Sequence, residues 1–308
     1  MTKITAALVK ELREKTGGGM MDCKLALNEC GGDIESATDW LRSKGLAAAQ
    51  KKSSRIAAEG LIGVHISDSH GTLIEINSET DFVARNAEFQ KFVRETVQLA
   101  TDQNCDFNSL KSTTFSAGGK TVNEHLTDLV SKIGENLSIR RVASLSIKKG
   151  VLASYVHNSV ADNLGKIGVL VGLESDIDEK KLATLGKQLA MHIAASRPKS
   201  VSREKIKQSD LDRERAILME QAQESGKPDS IVEKMVEGRM NKFFEDVCLL
   251  EQTFIIDGES KISKVISELE KQEGNTINIA GFEVFVLGEG IKKKEEDFAS
   301  EVSAVAEK

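Results

Sequence analysis

The cysteines and histidines of this chain have the most varied chemistry, and their spacing gives them little to do together. Cys23, Cys30, Cys105 and Cys248 form no C-x-x-C pair, so neither a zinc knuckle nor a dithiol redox centre is offered. Cys23 falls near an expected helix start, where a thiolate is favoured, but no second cysteine or obvious base accompanies it. The five histidines, at 65, 70, 125, 157 and 192, are scattered. His192 fits the inside of a helix as a satisfied imidazole, whereas His157 ends an expected strand beside Asn158. No GxxxxGKS or GxxxxGKT phosphate loop, HExxH or GxSxG occurs. The expectation is a binding protein, not an enzyme, with no catalytic residue, metal or cofactor of its own.

Two segments carry apolar groups where a lone domain does not need them. Gly17-Gly18-Gly19-Met20-Met21 sets two methionines at adjacent helical positions, which point about 100° apart. Either both complete a small core or one faces a partner, a use to which methionine is well suited. The second segment, Ser78 to Asn86, puts Phe82 and Val83 into a polar connector, and connectors usually run over the surface. Phe82 either plugs the space beneath the following helix or stands out from it.

The elements that must position these residues follow from periodicity and caps. Thr5 caps a first helix ending near Thr16, with Ile4 and Val9 placed as a hydrophobic staple. A second helix spans about Met21 to Cys30, and Asp33 caps a third carrying Ile34, Ala37, Trp40 and Leu41. Ala47 to Arg55 reads as a linker, helical or not. Leu61 to Ser67 and Thr72 to Asn77 alternate as a β-hairpin, followed by a helix capped near Asn86 with Phe89, Phe92, Val93 and Val97. Residues 101–121 look irregular; a helix near Val122 to Ile133 and a strand near Leu137 to Leu145 come next. A second hairpin, Val151 to His157 with Ile167 to Glu174, and a helix from about Asp178 to Ala195 repeat the pattern. Pro198 and Pro228 bracket the first arm of an antiparallel coiled coil, its seam using Leu211, Leu218 and Ala222 outward and Ile231, Met235 and Phe243 on return. A strand near Ile277 to Leu287 closes the second unit, and a final helix from about Glu295 carries Phe298, Val302 and Val305.

The resulting class is α+β: a three-helix front module with linker (1–55), two related subdomains (56–147 and 148–290, the second holding the coiled coil at about 204–247), and a C-terminal helical module (291–308). A length of 308 residues is enough for about two cores. The net charge is −6, which does not favour nonspecific nucleic-acid binding. Residues 1–55 carry 10 basic and 7 acidic side chains, so the front module differs in sign from the rest. Charges at Lys3, Lys10 and Glu11 interrupt any signal-peptide core, and no stretch approaches a membrane span, so a cytoplasmic location is expected.

Several separate motifs, TGGGMMDCKLAL at 16–27, TDFVAR at 80–85, KIGENLSIRRVA at 132–143, MHIAAS at 191–196 and SGKPDSIVEKMVEGRMNKF at 225–243, together resemble the bacterial translation elongation factor Ts family nearly end to end. The resemblance implies a guanine-nucleotide exchange factor for the GTPase elongation factor Tu, with a front module similar to a ubiquitin-associated domain. It implies that Thr80, Asp81, Phe82 and Val83 disturb the partner's magnesium site, with Phe82 as a wedge. It further implies that Arg13, Met20, Met21 and Lys24 meet the GTPase's nucleotide domain, and that His157, Ile255 and Ile256 face a distal domain. Phe298 and Val302 then pack back on the nucleotide domain. The chain departs from the family pattern at Arg85-Asn86, where a Lys-Asp type ending is common, in an expanded 101–121 and in a lengthened 158–165. Two other classes stay open: an adaptor working through the coiled-coil arm, and a thiol enzyme using Cys23.

Overall fold

The structure, a computed structural model, describes residues 4–116 and 118–292. The front of the chain forms α1 (Ala6–Thr16), α2 (Met20–Glu29) and α3 (Ile34–Lys52). Thr5 and Asp33 cap α1 and α3 by accepting backbone N–H groups through their side chains. Val9, Leu12, Cys23, Ala26, Leu27 and Ala37 make the small core, with Ile4, Leu8, Trp40 and Leu41 packed around it. The linker after Ala47 is helix: α3 continues unbroken to Lys52, and Ala49 already packs on the next core.

Two sheets follow. The first is built from β1 (Glu59–Ser67) and β2 (His70–Ser78), then, after α4 (Ala87–Asp102), α5 (Phe107–Ser112) and α6 (Val122–Ile133), from β3 (Ser138–Ser146). The second takes β4 (Gly150–His157) and, beyond the two-residue β5 (Leu164–Gly165), β6 (Ile167–Glu174). After α7 (Glu179–Ser196), the hairpin of α8 (Gln208–Gln223) and α9 (Asp229–Val247), and α10 (Ile262–Glu273), it closes with β7 (Asn278–Val286). Strand orders are β3-β2-β1-β5 and β4-β6-β7, every named pair antiparallel.

The sheets lie face to face, with Ile62, Val64, Leu73, Leu170 and Phe285 between them. Leu61, Ile74 and Ile76 turn the other way, onto Phe89, Phe92 and Val93 of α4, so alternate residues of one strand serve two cores. The outer face of the second sheet packs Val169, Val171 and Leu173 on Leu182, Leu185 and Leu189 of α7 and on Ile266 of α10. The order helix, sheet, sheet, helix explains why β2 is buried from Gly71 to Ser78.

The repeat extends to backbone detail. Gly60 pairs with Asn77, and Gly150 pairs with Glu174, at φ 121° and 137° respectively. A Cβ at either would collide with a carbonyl oxygen across the hairpin, that of Ile76 or Leu173. The register shifts between Glu75 and Ile76 in one half and between Gly172 and Leu173 in the other, the same place relative to those glycines.

Two expectations need correction, and two features add to what the sequence offers. Residues 101–121 are not irregular throughout: Asp106 and Ser109 form a capping box that starts α5, and Thr114 bridges Thr121. The second hairpin forms as expected, β4 pairing with β6 from Gly150–Glu174 to His157–Ile167, and its connection adds to the first sheet, where Leu164 and Gly165 pair with Gly63 and Ile62. The returning arm buries Val232, Val236 and Met240 at steps of four, leaving Ile231 exposed, since the stripe facing α8 is rotated by one residue. The helix α10 answers α6 of the first half; Ile262, Val265, Ile266 and Leu269 recur among charges at the i, i+3, i+4, i+7 spacing of one helical face and pack on the second core. No described helix is long and apolar enough to cross a membrane.

Candidate functional site

Besides the α8–α9 hairpin, the two halves differ where strand passes to helix. In the second half β6 ends at Glu174, Asp178 caps α7, and the connection is short. In the first half β2 ends at Ser78 but α4 begins only at Ala87, capped by Asn86 through bonds to the Glu88 and Phe89 N–H groups. The added residues are those of the TDFVAR stretch. They make one 3₁₀ turn, Val83–Arg85, in which the N–H groups of Ala84, Arg85 and Asn86 bond to the carbonyls of Asp81, Phe82 and Val83.

The turn sorts its apolar residues. Val83 and Ala84 are buried in the first core, while Phe82 is 78% exposed, the highest value of any large apolar side chain described. Of the two alternatives for Phe82, the fold takes the outward one. Asp81 beside it is also exposed. Thr80 points back: its N–H and hydroxyl donate to the two oxygens of Glu135 at 2.9 and 2.6 Å. Glu79 accepts the Asn136 N–H at 2.5 Å and pairs with Arg55 at 3.4 Å, and the Asn136 amide donates to the Arg55 carbonyl at 2.7 Å. Gln90 closes the far side by donating to the Ala84 carbonyl. The rim of the turn is thus fastened to the corner after α6 and to the chain leaving α3.

Met20 and Met21 open α2 and are 62% and 73% exposed, so neither belongs to the small core. Arg13 and Lys24 are exposed near them on α1 and α2. The Lys132 ammonium comes over Gly17, in the turn before Met20, close enough that a Cβ added there would meet it at 3.6 Å, and Lys132 pairs with Glu88 in the first turn of α4. Arg42 of α3 pairs with Glu124 of α6, and Gly45 sits against Ser131. Through α6, the methionine turn and the Phe82 turn are brought to one neighbourhood. Cys23 is fully buried in the core of the front module, its sulfur 3.9 Å from the Thr16 hydroxyl, which leaves a substrate no approach to the thiol.

The remaining candidates fall in the second half. His157 is exposed at the end of β4, its Nδ1 3.1 Å from the Tyr155 hydroxyl, and Lys187 lies over the Tyr155 ring. Ile255 and Ile256 are 43% and 47% exposed in the loop before α10. Their loop rests on His192, whose ring is fully buried, accepts the Ile255 N–H and meets Gln252 at 2.8 Å. Burial pushes the His192 pKa below 6.5, against the opposing bond to Gln252. Cys248, at the root of the arm, is pushed up to about 11 by burial. Phe298 and Val302 lie outside the described residues. Among the described residues no group of three or more His, Cys, Asp or Glu could hold a metal ion.

The family model for elongation factor TS matches residues 79–289, which begins at the Glu79 end of the TDFVAR turn and reaches past β7. The elongation factor Ts of Rhodospirillum centenum is 56% identical over 306 residues, covering 99% of this chain and all of that relative. That of Rhodospirillum rubrum is 53% identical over 309 residues, covering all of both, and that of Rhizobium etli 51% over 304 residues, 99% of both. The chain belongs to the elongation factor Ts family.

An elongation factor Ts works in translation elongation, and this member presents a surface rather than a pocket. Two shallow crevices among its described residues, lined in one case by Asn104 to Phe107 with Val142 and Ser144, in the other by Lys199 to Val201 with Phe282, include neither Phe82 nor the methionines. His192 is the satisfied helix-interior imidazole its place in the sequence predicts, whereas Glu135 and Asn136 carry no signal there beyond their place in KIGENLSIRRVA.

Proposed function

We propose that this elongation factor Ts is a guanine-nucleotide exchange factor, acting on elongation factor Tu in its GDP-bound and nucleotide-free forms in the cytoplasm. The reading divides the chain as the sequence does, into 1–55, 56–147, 148–290 and 291–308. The observation that carries it is Phe82, exposed and apolar on a turn that is hydrogen-bonded on both sides. Complete burial of a Phe side chain is worth about 2 kcal/mol. That gain shifts an equilibrium only if the receiving pocket exists in one state of the partner and not the other. A pocket that opens when the Mg²⁺ site is displaced meets this condition. Mg²⁺ bridges phosphate oxygens and neutralises their charge, so its displacement weakens the hold on GDP.

Thr80, Asp81, Phe82 and Val83 form the lever in this reading. Arg13, Met20, Met21 and Lys24 give it purchase on the nucleotide domain, and His157, Ile255 and Ile256 hold a second domain. Phe298 and Val302 belong to the same partner surface. Linkage requires reciprocity: a factor that weakens GDP binding is itself weakened by GDP in the same ratio, and incoming GTP then expels it.

The test follows release of a fluorescent GDP analogue from elongation factor Tu in excess unlabelled GDP, with this protein substoichiometric. Accelerated release with turnover is expected, and Phe82→Ala should slow it while binding is measured separately. No acceleration with a cognate partner leaves a binding protein only.

A further inference from the structure

An exposed wedge transmits force only if its base cannot yield, and among the bonds that hold the base of Phe82 two run from Thr80 to an acidic side chain 55 residues further along the chain. Glu135 follows Gly134, the left-handed residue that ends α6 at φ 87°, and this stop turns the chain so that its carboxylate faces the TDFVAR stretch. Both oxygens are used. One accepts the Thr80 N–H at 2.9 Å and the other the Thr80 hydroxyl at 2.6 Å, so position and rotation of Thr80 are set together. The Ser78 hydroxyl adds a bond to the Thr80 carbonyl at 2.8 Å.

The repeat supplies an internal comparison. Gly274, at φ 72°, ends α10 as Gly134 ends α6, so Asn275 occupies the position of Glu135. There the strand end is tied back through the Ser175 hydroxyl to the Thr276 carbonyl and through the Glu174 carboxylate, which accepts the Asn278 amide at 3.0 Å, and the connection to α7 is short. The half with the added turn has a carboxylate at the position after the glycine; the half without the turn does not.

We propose that Glu135 is the positioning residue of the exchange lever: it touches no nucleotide, and it holds Thr80 so that Phe82 presents a fixed direction to the partner. This rests on the exchange reading above. Loss of the brace leaves Phe82 exposed but free to pivot, so displacement of the partner's magnesium site becomes less frequent while the remaining contact surface still binds.

The experiment measures GDP release from elongation factor Tu at saturating factor, and separately the factor concentration giving half the maximal rate, for Glu135→Ala, Thr80→Val, Phe82→Ala and the double variant Glu135→Ala/Phe82→Ala. Circular dichroism and melting temperature check each fold. Glu135→Ala is expected to lower the maximal rate by about tenfold, the order for losing a charge-assisted hydrogen bond, with a much smaller change in half-saturation. The double variant should be no slower than Phe82→Ala alone, because the brace acts through Phe82. Thr80→Val, which removes one hydroxyl, should show the same pattern in weaker form and serves if Glu135→Ala does not fold. Unchanged maximal release with folded Glu135→Ala, or rate losses that multiply in the double variant, would overturn the assignment. If Phe82→Ala itself releases GDP at the full rate, the lever reading fails and the brace fails with it, a result distinguishable from failure of Glu135 alone.

Discussion

The Nδ1 atom of His192 accepts the backbone N–H of Ile255 at 3.3 Å, across 63 residues of sequence. An acceptor at Nδ1 places the ring proton on Nε2, which donates to the Gln252 amide oxygen at 2.8 Å. The Gln252 amide in turn donates to the Asp246 carbonyl at 2.7 Å, near the end of α9. One neutral imidazole therefore joins α7, the root of the coiled-coil arm and the loop carrying Ile255 and Ile256.

Protonating His192 would set an N–H against the Ile255 N–H, and burial already holds its pKa below 6.5. A depressed histidine contributes stability that is complete above the unfolded pKa of 6.5 and is lost as pH falls through the lower folded value. The melting temperature should therefore decline as pH drops from 7 towards 5, and the decline should be shallower in His192→Leu. That variant should also lose about 1–3 kcal/mol at pH 7, from buried partners left unpaired. Parallel pH profiles of the two proteins would contradict this.

Glu75, wholly buried in β2, ties three segments together. It meets Arg140 at 3.0 Å and Arg141 at 2.5 Å on β3, and accepts the Gly288 N–H at 2.9 Å beyond β7. Burial pushes its carboxyl up, but the Gly288 N–H, Arg141, Arg140 and Asn77 outweigh it, leaving the pKa below 4.5. Glu75→Gln should cost about 3 kcal/mol in urea unfolding at pH 7, because two guanidiniums lose their shared partner. Since the depressed carboxyl stabilises above 4.5 and less as pH falls through its folded value, the gap should narrow in acid. A gap independent of pH would show that the charge is not what matters.

Glu283 gives the opposite sign. It stands on β7 opposite Leu170, and burial raises its pKa above 4.5. Its contribution is present below 4.5 and lost as pH rises through the folded value, so at pH 7 the charge is a net cost. Glu283→Gln is expected to melt higher than the parent at pH 7 and alike at pH 4; scanning calorimetry at both values decides it.

Phe82 and Val83 are neighbours with opposite duties. Phe82→Ala should change stability by no more than about 0.5 kcal/mol, as for exposed positions, while slowing GDP release. Val83→Ala opens space in the first core, where Val83 is 5% exposed, and should cost about 1–2 kcal/mol. Chemical denaturation of both variants, set beside their exchange rates, separates lever from support.

The legible features of this chain are the local ones. Thr5, Asp33 and Asn86 cap the helices their positions predict, because a cap is a bond to an N–H two or three residues away. Both hairpins were readable from alternation, and the repeat from their recurrence. The outward stance of Met20, Met21 and Phe82 was left open, since spacing alone allowed either face. Only the tertiary structure decided that β5 joins the two sheets, that Val232 rather than Ile231 faces α8, and that Glu135 and His192 hold segments 55 and 63 residues away. A hydrogen bond within one helical turn is specified by the residues that make it. A bond across such a span exists only after two cores have closed and brought both partners to one place.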